Sequence, residues 1–135
     1  MGKGWAARRK VILERDEYTC AYCGYKSEKY QIVHHIDDNA DNNDEDNLQT
    51  VCPMCNLILH AGMGCVVLRV VDLYEQSNYP QEDIIRITRE MRNSGASDSE
   101  IIEHLGLKNK MQFRTDRDYL RYLFGFITSR FQKRY

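Results

Sequence analysis

From Trp5 to Glu14 (WAARRKVILE), Trp5, the stem of Arg8 and Ile12 recur three and four residues apart on one helical face, while Arg9 and Lys10 give a basic side. YQIVHH, ending at His35, reads as a short strand because Ile32 and Val33 are β-branched. Asp37 to Asn47 has no apolar residue but Ala40 and reads as a loop. A helix is expected over Pro53 to Ala61, with proline suited to its first turn. The apolar run Cys65 to Tyr74 reads as a second strand, and Gln81 to Arg92 as a helix stopped by NSG. Ser97 to Leu105 opens with SDSE, a capping box, and Gly106 ends it. Leu120, Leu123, Phe124, Ile127 and Phe131 form a stripe that predicts a last helix over Thr115 to Phe131. The pattern is α+β: a mixed N-terminal domain over residues 1–74, then a helical extension over 75–135, with the seam near Tyr74 to Pro80.

The net charge of −1 conceals a segregation. Residues 1–35 carry +3, residues 36–107 carry −10 and residues 108–135 carry +6. The near-neutral total therefore does not exclude a polyanionic partner, provided that the basic ends share a face. No apolar run reaches the length of a membrane span, and Met1 to Lys10 lacks the apolar core of a signal peptide. A cytoplasmic location without membrane contact is the expectation.

Five cysteines sharpen the picture. Cys20 and Cys23 form one C-x-x-C pair, Cys52 and Cys55 another, and Cys65 stands apart as a small core residue. Paired spacing with an odd count fits a reducing compartment and one tetrahedral Zn²⁺ rather than disulfides. Four thiolates close the shell, so this zinc is expected to be structural. It pins both ends of an insert that carries the adjacent pair His34 and His35. The acidic loop, read as a calcium-binding loop from Asp37, has Asp37, Asn39 and Asp41 in place. It lacks the glycine expected at Asn42 and the glutamate expected at Leu48, and so reads as a solvated connection.

CAYC, then IVHHI, then DNLQTVCPMCN resembles the HNH endonuclease family and its zinc-stabilised ββα-metal fold, over roughly Arg8 to His60. The resemblance implies a DNA-cleaving enzyme in which His35 is the general base and His34 a ligand of a catalytic divalent ion such as Mg²⁺. Asn47 matches the middle asparagine of the family, which holds the second strand and orients the base. Asn56 occupies the third position, commonly histidine, and His60, four residues on, supplies a further imidazole on the same helix face. These residue types suit phosphodiester hydrolysis, which needs a base titrating near neutrality and a cation against the phosphate. Small stand-alone members of the family are often of phage or mobile-element type.

The C-terminal segment IIEHLGL-KNKMQFRTDRDYLRYLF faintly resembles a helix-turn-helix, which would place Arg114, Arg117 and Arg121 against DNA phosphates. A plain helical bundle is the alternative. The whole frame is also similar to the HNH-like adaptor of type IV secretion coupling complexes, a family that keeps both knuckles but lacks the catalytic histidines. A non-catalytic adaptor with a protein partner, or a nucleic-acid-binding zinc module, thus stands beside the enzyme.

Overall fold

A computed structural model describes residues 3–132 of the chain. They form two compact units that divide between Asn56 and Leu57.

The first unit begins with α1 (Lys3–Arg15), which buries Ile12 and Leu13 against Val33 and Leu48, with Trp5 and Tyr18 at the margin of that cluster. Val33 lies on β1 (Ile32–His35) and Leu48 on β2 (Leu48–Val51), an antiparallel pair in which His34 faces Gln49 and His35 faces Leu48. The end of α1 is fastened by Arg15. Its guanidinium donates to the carboxylate of Asp16 at 2.8 Å and 3.0 Å, and to the carbonyls of Glu45 and Leu48 at 2.9 Å and 2.7 Å. Burial opposes ionisation of Asp16, but hydrogen bonds from Arg15 and Thr50 outweigh it and hold that carboxyl below the usual carboxylate range. Helix α2 (Pro53–Leu59) follows the second knuckle directly, so one short hairpin and one helix frame the insert.

The second unit is built on a three-stranded antiparallel sheet. Its centre is β3 (Val71–Gln76), flanked by β4 (Lys108–Met111) and β5 (Phe124–Ile127). Helices α3 (Gln81–Asn93) and α4 (Asp98–Leu105) bring Ile84, Ile101 and Leu105 onto Tyr74 and Phe126. The capping box forms as the sequence implies: the Ser97 hydroxyl accepts from the Glu100 amide, and Glu100 accepts from the Ser97 amide. Gly106 ends α4 in the left-handed region at φ 68°, where a side chain would also collide with Asn78. Between α4 and β5 lies the five-residue helix α5 (Arg117–Arg121).

Two expected elements differ. Met63–Val67 is a π-helical turn instead of the start of a strand, with the Leu68 amide donating to the Met63 carbonyl at 2.8 Å. The left-handed Arg69, φ 55°, then breaks the chain direction, so the strand begins only at Val71. The expected helix over Thr115 to Phe131 is replaced by α5 and β5. Gly125, Phe126, Ile127 and Thr128 are all buried, and a short apolar run covered on both faces carries no periodicity that tells strand from helix. Gly125 inside a helix would moreover cost about 1 kcal/mol relative to alanine. With β4 standing where a helix-turn-helix would place its second helix, the C-terminal part is a mixed sheet-and-helix unit.

Candidate metal centres and the histidine pair

The first knuckle is a tight hairpin. The Cys20 amide donates to Tyr25 at 2.8 Å, the Gly24 amide to Cys20 at 3.0 Å, and the Ala21 amide reaches the Thr50 carbonyl on β2 at 2.9 Å. Gly24 takes φ 79°, which a residue with a side chain rarely adopts. On the other side, β2 runs straight into Cys52, and the Cys55 amide donates to the Cys52 sulfur at 3.3 Å. All four cysteines are buried, and their sulfurs lie within 4.8 Å of one another.

This arrangement fits zinc on two counts. Four sulfurs at a zinc–sulfur distance of about 2.3 Å sit at the corners of a tetrahedron with edges of about 3.8 Å, and the Cys23 and Cys52 sulfurs are 3.7 Å apart. The ionisation of the four thiols is also linked, so that ionising some of them disfavours the others. Hydrogen bonds from Cys23, Cys52 and Cys55 push Cys20 far below the usual thiol range, and contact with Cys20 and Cys23 pushes Cys52 and Cys55 far above it. Four thiolates coexist there only with a compensating cation, and a soft divalent ion supplies it. The shell is complete with sulfur, so the site suits a structural rather than a catalytic ion.

The two histidines of β1 meet different surroundings. His34 is buried, and one of its ring nitrogens lies within 4.8 Å of a carboxylate oxygen of Asp38. His35 is half-buried, stacks on the indole of Trp5 with centroids 5.1 Å apart and planes 18° apart, and has Nε2 at 2.9 Å from Asn43 Oδ1. Asp38 itself takes φ 60° and donates its amide to the His35 carbonyl at 3.0 Å, which folds the loop back on the strand.

Asn47 organises that loop. Its amide nitrogen donates to Asp37 Oδ1 and to the Asn42 carbonyl, both at 2.9 Å, and its oxygen accepts from the Asp37 amide at 3.1 Å. Side-chain donation from Asn42, the Asn39 amide and Asn47 together hold the Asp37 carboxyl below its ordinary range. The acidic loop is thus a ladder of asparagine and aspartate turns closed by Asn47, with the Asp37 carboxylate accepting from Asn42 and Asn47.

The remaining residues singled out by the sequence are placed as follows. Asn56 lies within α2, half-buried, with its amide donating to the Cys52 carbonyl at 2.9 Å. His60 follows the last residue of that helix, and its carbonyl accepts from the Gly64 amide at 3.1 Å. Arg114 is exposed and carries its guanidinium over the Tyr119 ring at 4.8 Å. Arg121 is exposed at the end of α5, while the side chain of Arg117 falls outside the described residues. Sequence reading missed Trp5, Asp38 and Asn43 as partners of the histidines. For Asp38 the acidic run directly after HHI was a pointer. For Trp5, thirty positions from His35, no local pattern was available.

No helix among the described residues is long and apolar enough to cross a membrane. Residues 20–62 match the family model described as HNH endonuclease. Over 44 residues, 33% of this chain, the sequence is 41% identical to the type 4 apparatus protein DotN of Legionella pneumophila. The matched stretch spans about a fifth of that relative's length (21%). Both knuckles, the hairpin with its histidine pair and the helix after Cys52 fall inside the family match, so over residues 20–62 the chain is similar to the HNH endonuclease family.

Proposed function

We propose that the protein is a divalent-metal-dependent endonuclease that hydrolyses DNA phosphodiester bonds, with His35 as general base. The observation that carries this reading is the contrast between the two neighbours on β1. His34 is buried beside a carboxylate, as a ligand should be, while His35 has its ring plane and one nitrogen fixed at a half-open position. His34 and Asp38 would hold the ion, with Asn56 as a further donor from the first turns of α2. A divalent cation supplies positive charge against the scissile phosphate and the leaving oxygen. His35 accepts the proton of the attacking water, and Asn47 keeps the loop that flanks both histidines in shape. The decisive assay is nicking of supercoiled plasmid by the zinc-loaded chain with Mg²⁺, Mn²⁺ or Ni²⁺.

Asp38 gives this reading a direct check. Asp38→Asn should weaken Mn²⁺ binding, measured calorimetrically on the zinc-loaded protein, by roughly the 10–100-fold typical of altered metal shells. Asp41→Asn removes the same charge from the same loop and should leave the affinity within about 2-fold, since exposed charges are screened over a Debye length of about 8–10 Å. Equal losses in the two variants would mean that only the loop's overall charge matters.

The basic C-terminal segment is proposed to bind the DNA backbone. Replacing Arg114, Arg117 and Arg121 together by glutamine should lower affinity and flatten its salt dependence, by roughly one unit of slope for each phosphate no longer neutralised. An unchanged slope, measured by fluorescence anisotropy between low and moderate salt, would remove this segment from the interface.

A second reading has one observation in its favour. Similarity to a protein of the type 4 apparatus supports a non-catalytic adaptor within a larger protein assembly. Inertness of the wild type with every metal would favour that reading over the enzyme.

A further inference from the structure

We propose that Asn43 and Trp5 are positioning residues for the His35 imidazole, Asn43 selecting its tautomer and Trp5 its ring plane. The consequence for catalysis rests on the nuclease reading above; the cradle itself does not.

The chemistry of the contact sets the tautomer. Asn43 presents its carboxamide oxygen to His35 Nε2 at 2.9 Å, and that oxygen only accepts. In the neutral ring Nε2 must then carry the proton, which leaves Nδ1 with the lone pair that a general base needs. A hydrogen bond fixes one point of the ring but leaves rotation about it. Trp5 removes that freedom by covering one face of the imidazole, 5.1 Å between centroids and 18° between planes.

Both holders are themselves held. Trp5 borders the cluster of Ile12, Leu13, Val33 and Leu48. Its helix is further tied by Arg9, which donates to the Gln31 carbonyl at 2.8 Å just before β1. Asn43 sits between two fastened points. Asn42 is bound through its carbonyl to Asn47 and through its side chain to Asp37 at 2.8 Å, and the Asp44 carbonyl accepts from the Asn47 amide at 2.9 Å. Asn47 therefore acts on His35 at one remove, by shaping the loop from which Asn43 reaches the ring.

A purely structural tie would predict something different. Asn43 is exposed, so its loss should hardly change folding. As a positioning residue, it should change turnover without changing substrate affinity. In the nicking assay, Asn43→Leu, which fills similar space without an acceptor, should lower kcat by roughly 10–100-fold, by analogy with the loss of partners that orient metal-bound imidazoles, with KM held. Asn43→Asp keeps an acceptor and should recover most of the loss. Trp5→Phe should stay near wild type, and Trp5→Ala should fall.

The independent readout is long-range ¹H–¹⁵N NMR on the full zinc-loaded chain. The His35 ring should show the proton on Nε2, slow enough in exchange to be observed, and Asn43→Leu should abolish that resonance. A proton found on Nδ1 in the wild type overturns the proposal. So does an Asn43→Leu variant that keeps both the Nε2–H resonance and the wild-type kcat. A wild type inert with every metal overturns the nuclease reading instead, and the resonance alone then decides the cradle.

Discussion

Replacing any one of Cys20, Cys23, Cys52 or Cys55 by serine should release one zinc per chain and unfold the insert between the knuckles. The size of the effect follows from what the metal contributes. Structural zinc in small domains binds with about 10–16 kcal/mol, and this is folding free energy because no preformed site exists in the unfolded chain. Whole domains are stable by only about 5–15 kcal/mol, so no other interaction in the first unit compensates. The hydrophobic cluster there is small, with Ile12, Leu13, Val33 and Leu48 as its buried members. The Ala21 amide's bond to Thr50, which joins the first knuckle to β2, depends on the same closure. Cys65→Ser is the control. Burial, with Asp72 adding to it, pushes that thiol up to about 11, and it lies outside the group of four close sulfurs. Elemental analysis should return one zinc for wild type and Cys65→Ser and none for the other variants. Well-folded wild type without zinc would overturn the assignment.

How much of this was legible in the sequence depends on the range over which each feature is determined. The knuckles were, because each is a local turn with its ligands three residues apart, and the strand of Ile32 to His35 was, because β-branched residues precede the histidines. The capping box at Ser97 was legible for the same reason, being made within four residues. Features decided by long-range packing were not. Phe124 to Ile127 becomes a strand because β3 is there to pair with it, Leu73 against Gly125 and Asp72 against Phe126, and helical spacing in the stripe concealed that. Val66, Val67 and Leu68 have the composition of a strand but lie exposed around a π-helical turn, since Arg69 reverses the backbone beside them. At the histidine pair the residue types and their adjacency were visible, whereas the different surroundings of the two rings were not. Those around His35 come from α1 and from the folded loop, which reach it across thirty and eight positions of chain respectively.

His35→Ala should abolish most DNA cleavage while leaving zinc content, fold and DNA binding intact. The ring is half-buried at the end of a four-residue strand, stacked on Trp5 at the margin of the core and remote from the thiolates in sequence, so its removal opens little space. On the proposed assignment it removes proton abstraction, and loss of a general base typically costs about 10²–10⁴-fold in rate. His34→Ala should give a different signature. That side chain is buried beside Asp38, and if it holds the divalent ion as proposed, cleavage should be partly recovered by raising the ion's concentration. In the His35 variant no concentration of metal should restore the rate, because a proposed base acts by proton transfer and not by holding the ion. The comparison is made by titrating Mn²⁺ or Mg²⁺ into both variants under single-turnover conditions, with zinc content and thermal stability measured on the same preparations. Recovery of His35→Ala at high metal would assign it to the ion instead of the proton. Equal cleavage by wild type and His35→Ala would mean that another group, or a contaminating nuclease, performs the reaction, and the base would no longer be assigned to β1.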